Sequence, residues 1–341
     1  MSQKIKTRIQ NKHDVEANWV QAVNFIPMAG EAIVYDQDSN YSSPRIKIGD
    51  GQTTINNLPF CTGVLLEEEG MDVNTTLSVS NSAASHNAIF RGMDLTNKYT
   101  IDQICERIAS GTFEDLYIGD YFDITFTNRS GREEQMRCIL AAFDYYYTQQ
   151  RYGCNRHHAV IIPKNCIGGY YIMNINDTNL TEGGYTGSEM FTTTLPALVT
   201  PLQTALNNHI ITHKNYLASA INGEGNSAAG AGMVGYASSA QYKDVTITIP
   251  NEIQVYGTQV WSSSPYNVGL DTTILPLFAH NPIARVCGKR GVADGGEDGW
   301  GYWWLRDVVS ADYFAGVDTY GHASYDYAYL DWGLRPLFLI G

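Results

Sequence analysis

The carboxy-terminal stretch GGEDGWGYWWLRDVVSADYFAGVDTYGHASYDYAYLDWGLRPLFLIG (Gly295–Gly341) decides how the rest of the chain is read. It holds four of the six tryptophans and closes on an apolar strand. Trp303, Trp304, Leu305, Phe314, Val317, Leu334, Leu337 and Leu339 are expected to be scaffold, burying apolar area beneath a surface. Between them, Tyr313, Tyr320, Tyr325, Tyr327 and Tyr329 offer wide amphipathic contact area at low entropic cost. Ser310, Asp312, Asp318, His322, Ser324, Asp326 and Asp331 add adaptable hydrogen-bonding groups, so the mixture has the chemistry of a binding surface. Tyr325, Tyr327 and Tyr329 fall on one face of a strand, with Asp326 and Ala328 opposite, and a core face would carry more aliphatic side chains. The competing reading is a tyrosine-rich strand pair packed into a core. Arg306 and Arg335 lie inside the apolar runs; a buried guanidinium needs carboxylate or carbonyl oxygens, so each is expected to staple a loop.

Working outward, the chain has 341 residues, room for two or three domains at about 100–200 residues each. With 17% charged, 44% hydrophobic and 12% aromatic residues it is no low-complexity or highly charged disordered chain. A net charge of -13, from 22 basic and 35 acidic residues, is opposite to that of a phosphate-neutralising protein, which sets nucleic acid aside as a partner. The amino terminus carries Lys4, Lys6, Arg8 and Lys12 without an apolar core, so no signal peptide is expected. Nor does any uncharged apolar run reach the roughly 18 residues of a membrane span. The six cysteines form no C-x-x-C pair and are expected to be buried free thiols. Cys154, His157, His158 and Cys166 lack the paired spacing of a structural zinc site, and His157–Pro163 reads as a strand entering a core with alternate side chains on opposite faces. No metal or other cofactor is expected.

Along the chain, alternation at Ile5–Ile9 suggests a strand, and Asp14 is a candidate N-cap for a short helix carrying Trp19, Val20 and Val23. Glu31–Asp36 and Arg45–Ile48 read as strands, with Gly49-Asp50-Gly51 as a tight turn, closing a unit of about 60 residues at Leu58-Pro59-Phe60. Units below about 70 residues commonly rely on oligomerisation. Residues 63–95, from the Glu67-Glu68-Glu69 run into a Ser/Asn/Thr/Ala-rich stretch, read as a linker. Beyond it, Thr100 precedes Ile101, Ile104, Cys105 and Ile108 at helical spacing with Gly111 as the stop. Asp120–Phe126, Val245–Ile249 and Ile253–Val255 are predicted strands. A second helix is expected from Thr200, with Pro201 in the first helical position and Gln203 completing a capping-box pattern. Residues 222–240 look like a long surface loop, and no repeat of solenoid period is present. The expected class is mainly β with a few short helices, α+β.

Two sets of motifs carry a resemblance. RIQNKHDVEANWVQAVNFIPMAGEAIVYD (Arg8–Asp36) followed by PRIKIGDGQTTINNLPF (Pro44–Phe60) resembles a module that heads many phage tail and fibre proteins, among them the major tropism determinant family. Over residues 1–62 this implies a virion-attached module that assembles as a homotrimer and joins other tail proteins. WWLRD, Phe314, Val317 and GLRPLFLIG resemble the end of the C-type-lectin-like fold of phage and bacterial proteins diversified by a retroelement. GDYF (Gly119–Phe122), HHAVIIP (His157–Pro163), GGYTGSEM (Gly183–Met190) and Ile249–Gly257 match the same family in order, so the resemblance covers residues 96–341. It implies a variable region at about 307–331. Adenine replacement in Asn codons never yields Lys, Glu, Gln, Met or Trp, and Asp307–Asp331 contains none of them.

What the resemblance implies is a tail-fibre tip adhesin that binds a bacterial surface receptor, protein or glycan, through Ser310, Asp312, Tyr313, Asp318, Tyr320, His322, Ser324, Tyr325, Asp326, Tyr327, Tyr329 and Asp331. Trp303, Trp304, Arg306, Phe314 and Arg335 are its scaffold. Such a protein is made in the host cytoplasm, carried on the virion, and performs no catalysis. The rival is a tail-associated cell-wall hydrolase or glycosidase, which needs two carboxylates in one cleft; Glu252, or Glu297 with Asp298, are its candidates. Asp294, Glu297 and Asp298 could also serve calcium, but no EF-hand or lectin calcium motif accompanies them, and a solvated turn is the simpler reading. No nucleophile-elbow, P-loop, zinc-protease or dinucleotide fingerprint occurs.

Overall fold

The computed structural model describes residues 12–40, 44–60, 82–147, 149–175, 183–222, 236–262, 264–269, 272–288 and 300–341. The chain separates into two compact units, Met1–Val79 and Ser80–Gly341. The class is mainly β with short helices, as the sequence suggests. Among the described residues no helix is long and apolar enough to cross a membrane.

The first unit contains β1 (Lys12–Asp14), α1 (Glu16–Trp19), β2 (Ala32–Tyr35) and β3 (Arg45–Ile48). β2 lies between β1, to which it is parallel, and β3, to which it is antiparallel. Alternation along β2 sends Ile33 and Tyr35 inward, where they join Ile55 and Leu58 in a small core flanked by Trp19, Phe25 and Phe60. The expected tight turn forms: Asp50 accepts from the Gln52 and Thr53 N–H groups and the Thr53 hydroxyl, which holds its carboxyl down at about 2, and Gly51 takes φ +78°. Asp14 is not the N-cap. Val15 occupies that position, and the Asp14 carboxylate instead accepts the Val15 N–H and the Asn18 side-chain amide. The Ile5–Ile9 strand lies outside the described residues.

The second unit begins with α2 (Ala83–Asn87) and α3 (Ile101–Ala109), followed by β4 (Tyr121–Thr127), β5 (Glu133–Phe143), β6 (Ala159–Pro163) and β7 (Ile167–Tyr171). Then come α4 (Leu195–Ala205), β8 (Ile210–Ile211), β9 (His213–Asn222), β10 (Tyr236–Val245), β11 (Ile247–Thr248), α5 (Glu252–Tyr256) and α6 (Pro276–His280). The chain closes with β12 (Cys287–Gly288), β13 (Trp300–Gly301), β14 (Trp303–Val308), β15 (Tyr313–Val317), β16 (Ala323–Tyr327), β17 (Trp332–Leu334) and β18 (Leu337–Ile340). One sheet has the order β11-β18-β6-β5-β4, with β8 also on β18; a second has the order β16-β15-β14-β17-β7. β9–β10 and β12–β13 are two-stranded pairs.

Burial pattern explains the places in the sheets. β4 alternates, with Phe122, Ile124 and Phe126 inward, and pairs Asp123 with Arg137 across to β5. β6 and β18 are buried at every residue, so the stretch expected to alternate from His157 is a central strand covered on both faces, and the two histidines precede it. The helix after Thr100 forms as predicted, with a complete Thr100–Gln103 capping box and Ile104, Cys105 and Ile108 buried.

Four predicted segments differ. Residues 82–95 belong to the second unit rather than a linker: His86 is fully buried, its Nδ1 donating to the Leu116 carbonyl at 2.6 Å, and Leu95 lies in the core. Residues 63–81 lie outside the described residues. The helix expected from Thr200 starts earlier, at Leu195, so that Pro196 is near its N-terminus and Pro201 is interior. Ile253–Val255 is helical rather than extended, because Asn251 and Gln254 close a capping box and Gly257 ends the turn at φ +82°. Within 222–240, residues from Tyr236 onward pair as β10 with β9, while 223–235 lie outside the described residues.

Candidate ligand-binding site

β14, wholly buried, supports β15, which carries β16 at the sheet edge. The β15–β16 register places Tyr327 opposite Tyr313 and Tyr325 opposite Ala315, so these side chains share one face. The Tyr313 ring lies 4.3 Å from that of Tyr327 and 5.4 Å from that of Tyr325, and Tyr327 lies 5.4 Å from Tyr329. The row is graded in depth. Tyr313 is 4% exposed and Tyr329 39%, with Tyr325 and Tyr327 half-buried between them. Burial, with Tyr327 beside it, pushes the Tyr313 phenol upward, so it remains protonated.

Ser310, Asp312 and Tyr313 are therefore buried and not the open surface positions expected of them. Ser310 Oγ accepts the Asp312 N–H at 3.2 Å, and the Asp312 carbonyl accepts the Ala328 N–H at 3.0 Å, forming a turn beneath the row. Asp318 is also committed internally: its carboxylate accepts the N–H groups of Tyr320 and His322, each at 2.8 Å. With Gly321 at φ +85°, this fixes a hairpin loop at whose tip Tyr320 is 76% exposed and His322 is open to solvent. Ser324 and Asp326 sit opposite Gly316 and Phe314 in register, on the face away from the tyrosines. Asp331 is exposed beyond Tyr329. The structure thus brings Tyr325, Tyr327 and Tyr329 together and sets Tyr320 and His322 on a separate loop braced by Asp318.

The residues expected to be scaffold lie in the interior. Trp303, Trp304 and Phe314 are buried; the indole N–H of Trp303 donates to the Arg285 carbonyl at 2.9 Å and that of Trp304 to the Tyr171 carbonyl at 2.7 Å. Arg306 donates to the Ile249 carbonyl at 3.1 Å, and Arg335 to the Pro163 and Ala284 carbonyls, both at 2.7 Å. Each is a staple between backbone segments. Asp307, at the start of the expected variable region, is fully buried and accepts the Glu252 N–H at 2.7 Å. Burial and the nearby Glu252 charge hold its carboxyl well above the usual range.

One contributor was not singled out from sequence. Trp261, 38% exposed, sets its ring 4.5 Å from Tyr325 and extends the aromatic row onto a second segment. The turn that displays it is fixed by Glu252, whose carboxylate accepts the N–H groups of Val260, Trp261 and Ser262 and the Ser262 hydroxyl. A tryptophan placed directly before the serine run Ser262–Ser264 was the available signal. The same contacts leave Glu252 fully buried rather than in a cleft.

Of Cys154, His157, His158 and Cys166 only two meet, with Cys154 Sγ 3.4 Å from His158 Nδ1, while Cys166 lies against Cys287 instead. His158 Nδ1 donates to the Arg156 carbonyl and Nε2 accepts the Tyr146 N–H, fixing a neutral ring, while His157 turns to Asp144 at 2.7 Å. Among the described residues no group of His, Cys, Asp and Glu could hold a metal ion. Asp294, Glu297 and Asp298 lie outside the described residues. No known family, curated protein or solved structure matches the chain.

Proposed function

We propose that this chain is a phage receptor-binding adhesin of the tail-fibre tip. Its first unit would trimerise it on the virion beside other tail proteins, and its second would be a C-type-lectin-like domain presenting a diversified ligand surface. The observation that carries the reading is the aromatic row Trp261, Tyr325, Tyr327 and Tyr329, which runs from a turn onto the edge strand β16 and the turn that follows it, beside the buried strands β15 and β14. Partly exposed tyrosine and tryptophan on a rigid frame are what recognition of a protein or glycan receptor requires, because little side-chain freedom is lost on contact. The tail module and the C-type-lectin-like likeness rest on the sequence motifs.

The hydrolase reading needs an accessible carboxylate pair, and Glu252 is buried with its oxygens occupied by four donors. The test is a pull-down of purified protein with host cells or purified cell wall, followed by assay for soluble fragments. Binding without fragment release is expected. Release of sugars or peptides from the wall would overturn the adhesin reading in favour of the hydrolase.

A further inference from the structure

Cys166 and Cys287 are 121 residues apart in sequence, yet their sulfur atoms lie 2.7 Å from each other, both buried. We propose that these two cysteines form a disulfide that locks the segment entering β7 to β12. Both are free thiols in this structure, and their separation is shorter than nonbonded contact for two sulfurs though longer than the about 2.05 Å of an S–S bond. It also excludes a shared tetrahedral metal, since two thiolates at a zinc–sulfur distance of about 2.3 Å stand about 3.8 Å apart.

The surroundings are arranged for this bond. Arg335 clamps the same two segments three residues upstream of each cysteine, donating to the carbonyls of Pro163 and Ala284. Gly288 passes against Asn165, where a Cβ would meet the Asn165 side-chain oxygen at 2.9 Å. Gly333 leaves the space taken by the Cys166 sulfur, which a side chain at that position would strike. The two strands are therefore already held at bonding approach by groups other than the thiols. Burial of Cys287 opposes a charge there, but the hydrogen bond from the Cys166 thiol and then the nearby Arg335 charge outweigh it and lower its pKa, whereas burial raises that of Cys166.

The chemistry balances with a small-molecule disulfide, RSSR, as oxidant. The Cys287 thiolate attacks one sulfur and expels RS⁻, giving a mixed disulfide; the Cys166 sulfur, losing its proton, attacks Cys287 and expels the second RS⁻. Two thiols become one S–S bond while RSSR becomes two RSH. Cys287 is fully buried, so RSSR reaches it only through an opening of this segment, and the bond is shielded once the Arg335-clamped segments close again. The inference is independent of any binding role.

The experiment uses the whole chain, purified without reductant, equilibrated with oxidised glutathione during refolding, alkylated in denaturant and digested without reduction. The expected result is a linked Cys166–Cys287 peptide and four alkylated cysteines of the six, rising to six after prior reduction. C166S and C287S should each show five. Melting supplies the second measurement: oxidised wild type should melt roughly 10 °C above reduced wild type, and C166A/C287A should be indifferent to reductant. Six alkylated cysteines in the oxidised protein, a linkage mapping to another pair, or an equal reductant effect in the double variant would overturn the proposal.

Discussion

The tyrosines separate by depth, and each depth carries its own expectation. Tyr320 and Tyr329 are exposed, so Ala replacement of either should change stability by no more than about 0.5 kcal/mol. If they meet receptor as hot spots, the same changes should weaken binding about thirtyfold, about 2 kcal/mol. Tyr313→Ala removes a ring that is buried against Tyr325 and Tyr327 and should cost about 3 kcal/mol, approaching the about 3–5 kcal/mol of Trp304→Ala. Denaturant melts and cell-binding isotherms on the four variants check this; a Tyr329→Ala melt as damaged as that of Trp304→Ala would make the row core. The sequence pattern was legible here as far as face but not as depth. Alternation assigns Tyr325 and Tyr327 to one side of a strand, whereas the cover over Tyr313 comes from strand pairing and from the turn at Ser310–Asp312, which periodicity does not encode.

At the scale of elements, the β15–β16 hairpin depends on Asp318. Its carboxylate satisfies two loop N–H groups, so Asp318→Ala should destabilise the domain by about 1–2 kcal/mol, and it should also weaken receptor binding by freeing Tyr320. Asp318→Asn keeps one acceptor oxygen and should lose less on both measures; equal losses for the two variants would remove the carboxylate from the argument. Which elements sequence revealed follows the strength of their local signals. The Thr100–Gln103 capping box and the alternation at Tyr121–Thr127 agree with their tertiary settings, and both elements appear as read. Ile253-Gln254-Val255 is too short for period to separate strand from helix, and the deciding signal was the Asn251–Gln254 box beside it. Polar composition misled at 82–95, where His86 is taken into the core by one carbonyl and by stacking on Tyr117 at 5.0 Å.

For the molecule as a whole, the described residues of the first unit include four buried core residues, while Val20, Val23, Ile26, Met28, Ile46 and Ile48 remain exposed. A second and third copy covering part of that apolar area would supply the missing burial, so light scattering of the full chain should give a trimer. Ile46→Lys with Ile48→Lys, both on the outward face of β3, should yield monomer with the second unit still folded; a wild-type monomer at micromolar concentration would sink the idea. The second unit carries a different liability, to acid. His86, His158 and His213 are all buried, and burial lowers the pKa of each; His213, with the His158 ring also nearby, is pushed down to about 3. In the unfolded chain each returns to its ordinary value of 6.5. Below that pH the unfolded state takes up protons that the folded state refuses, so stability is full above 6.5 and declines as pH falls. For His213 alone the loss is about 1.4 kcal/mol per pH unit, or about 2–3 kcal/mol between pH 6.5 and 4.5. His213→Phe keeps an aromatic ring against Tyr146, 4.7 Å away, and removes the proton site. Its stability should therefore fall less steeply than wild type across pH 6.5–4.5 while matching or approaching it at pH 8, and parallel curves for the two proteins would show that His213 does not titrate between the folded and unfolded states.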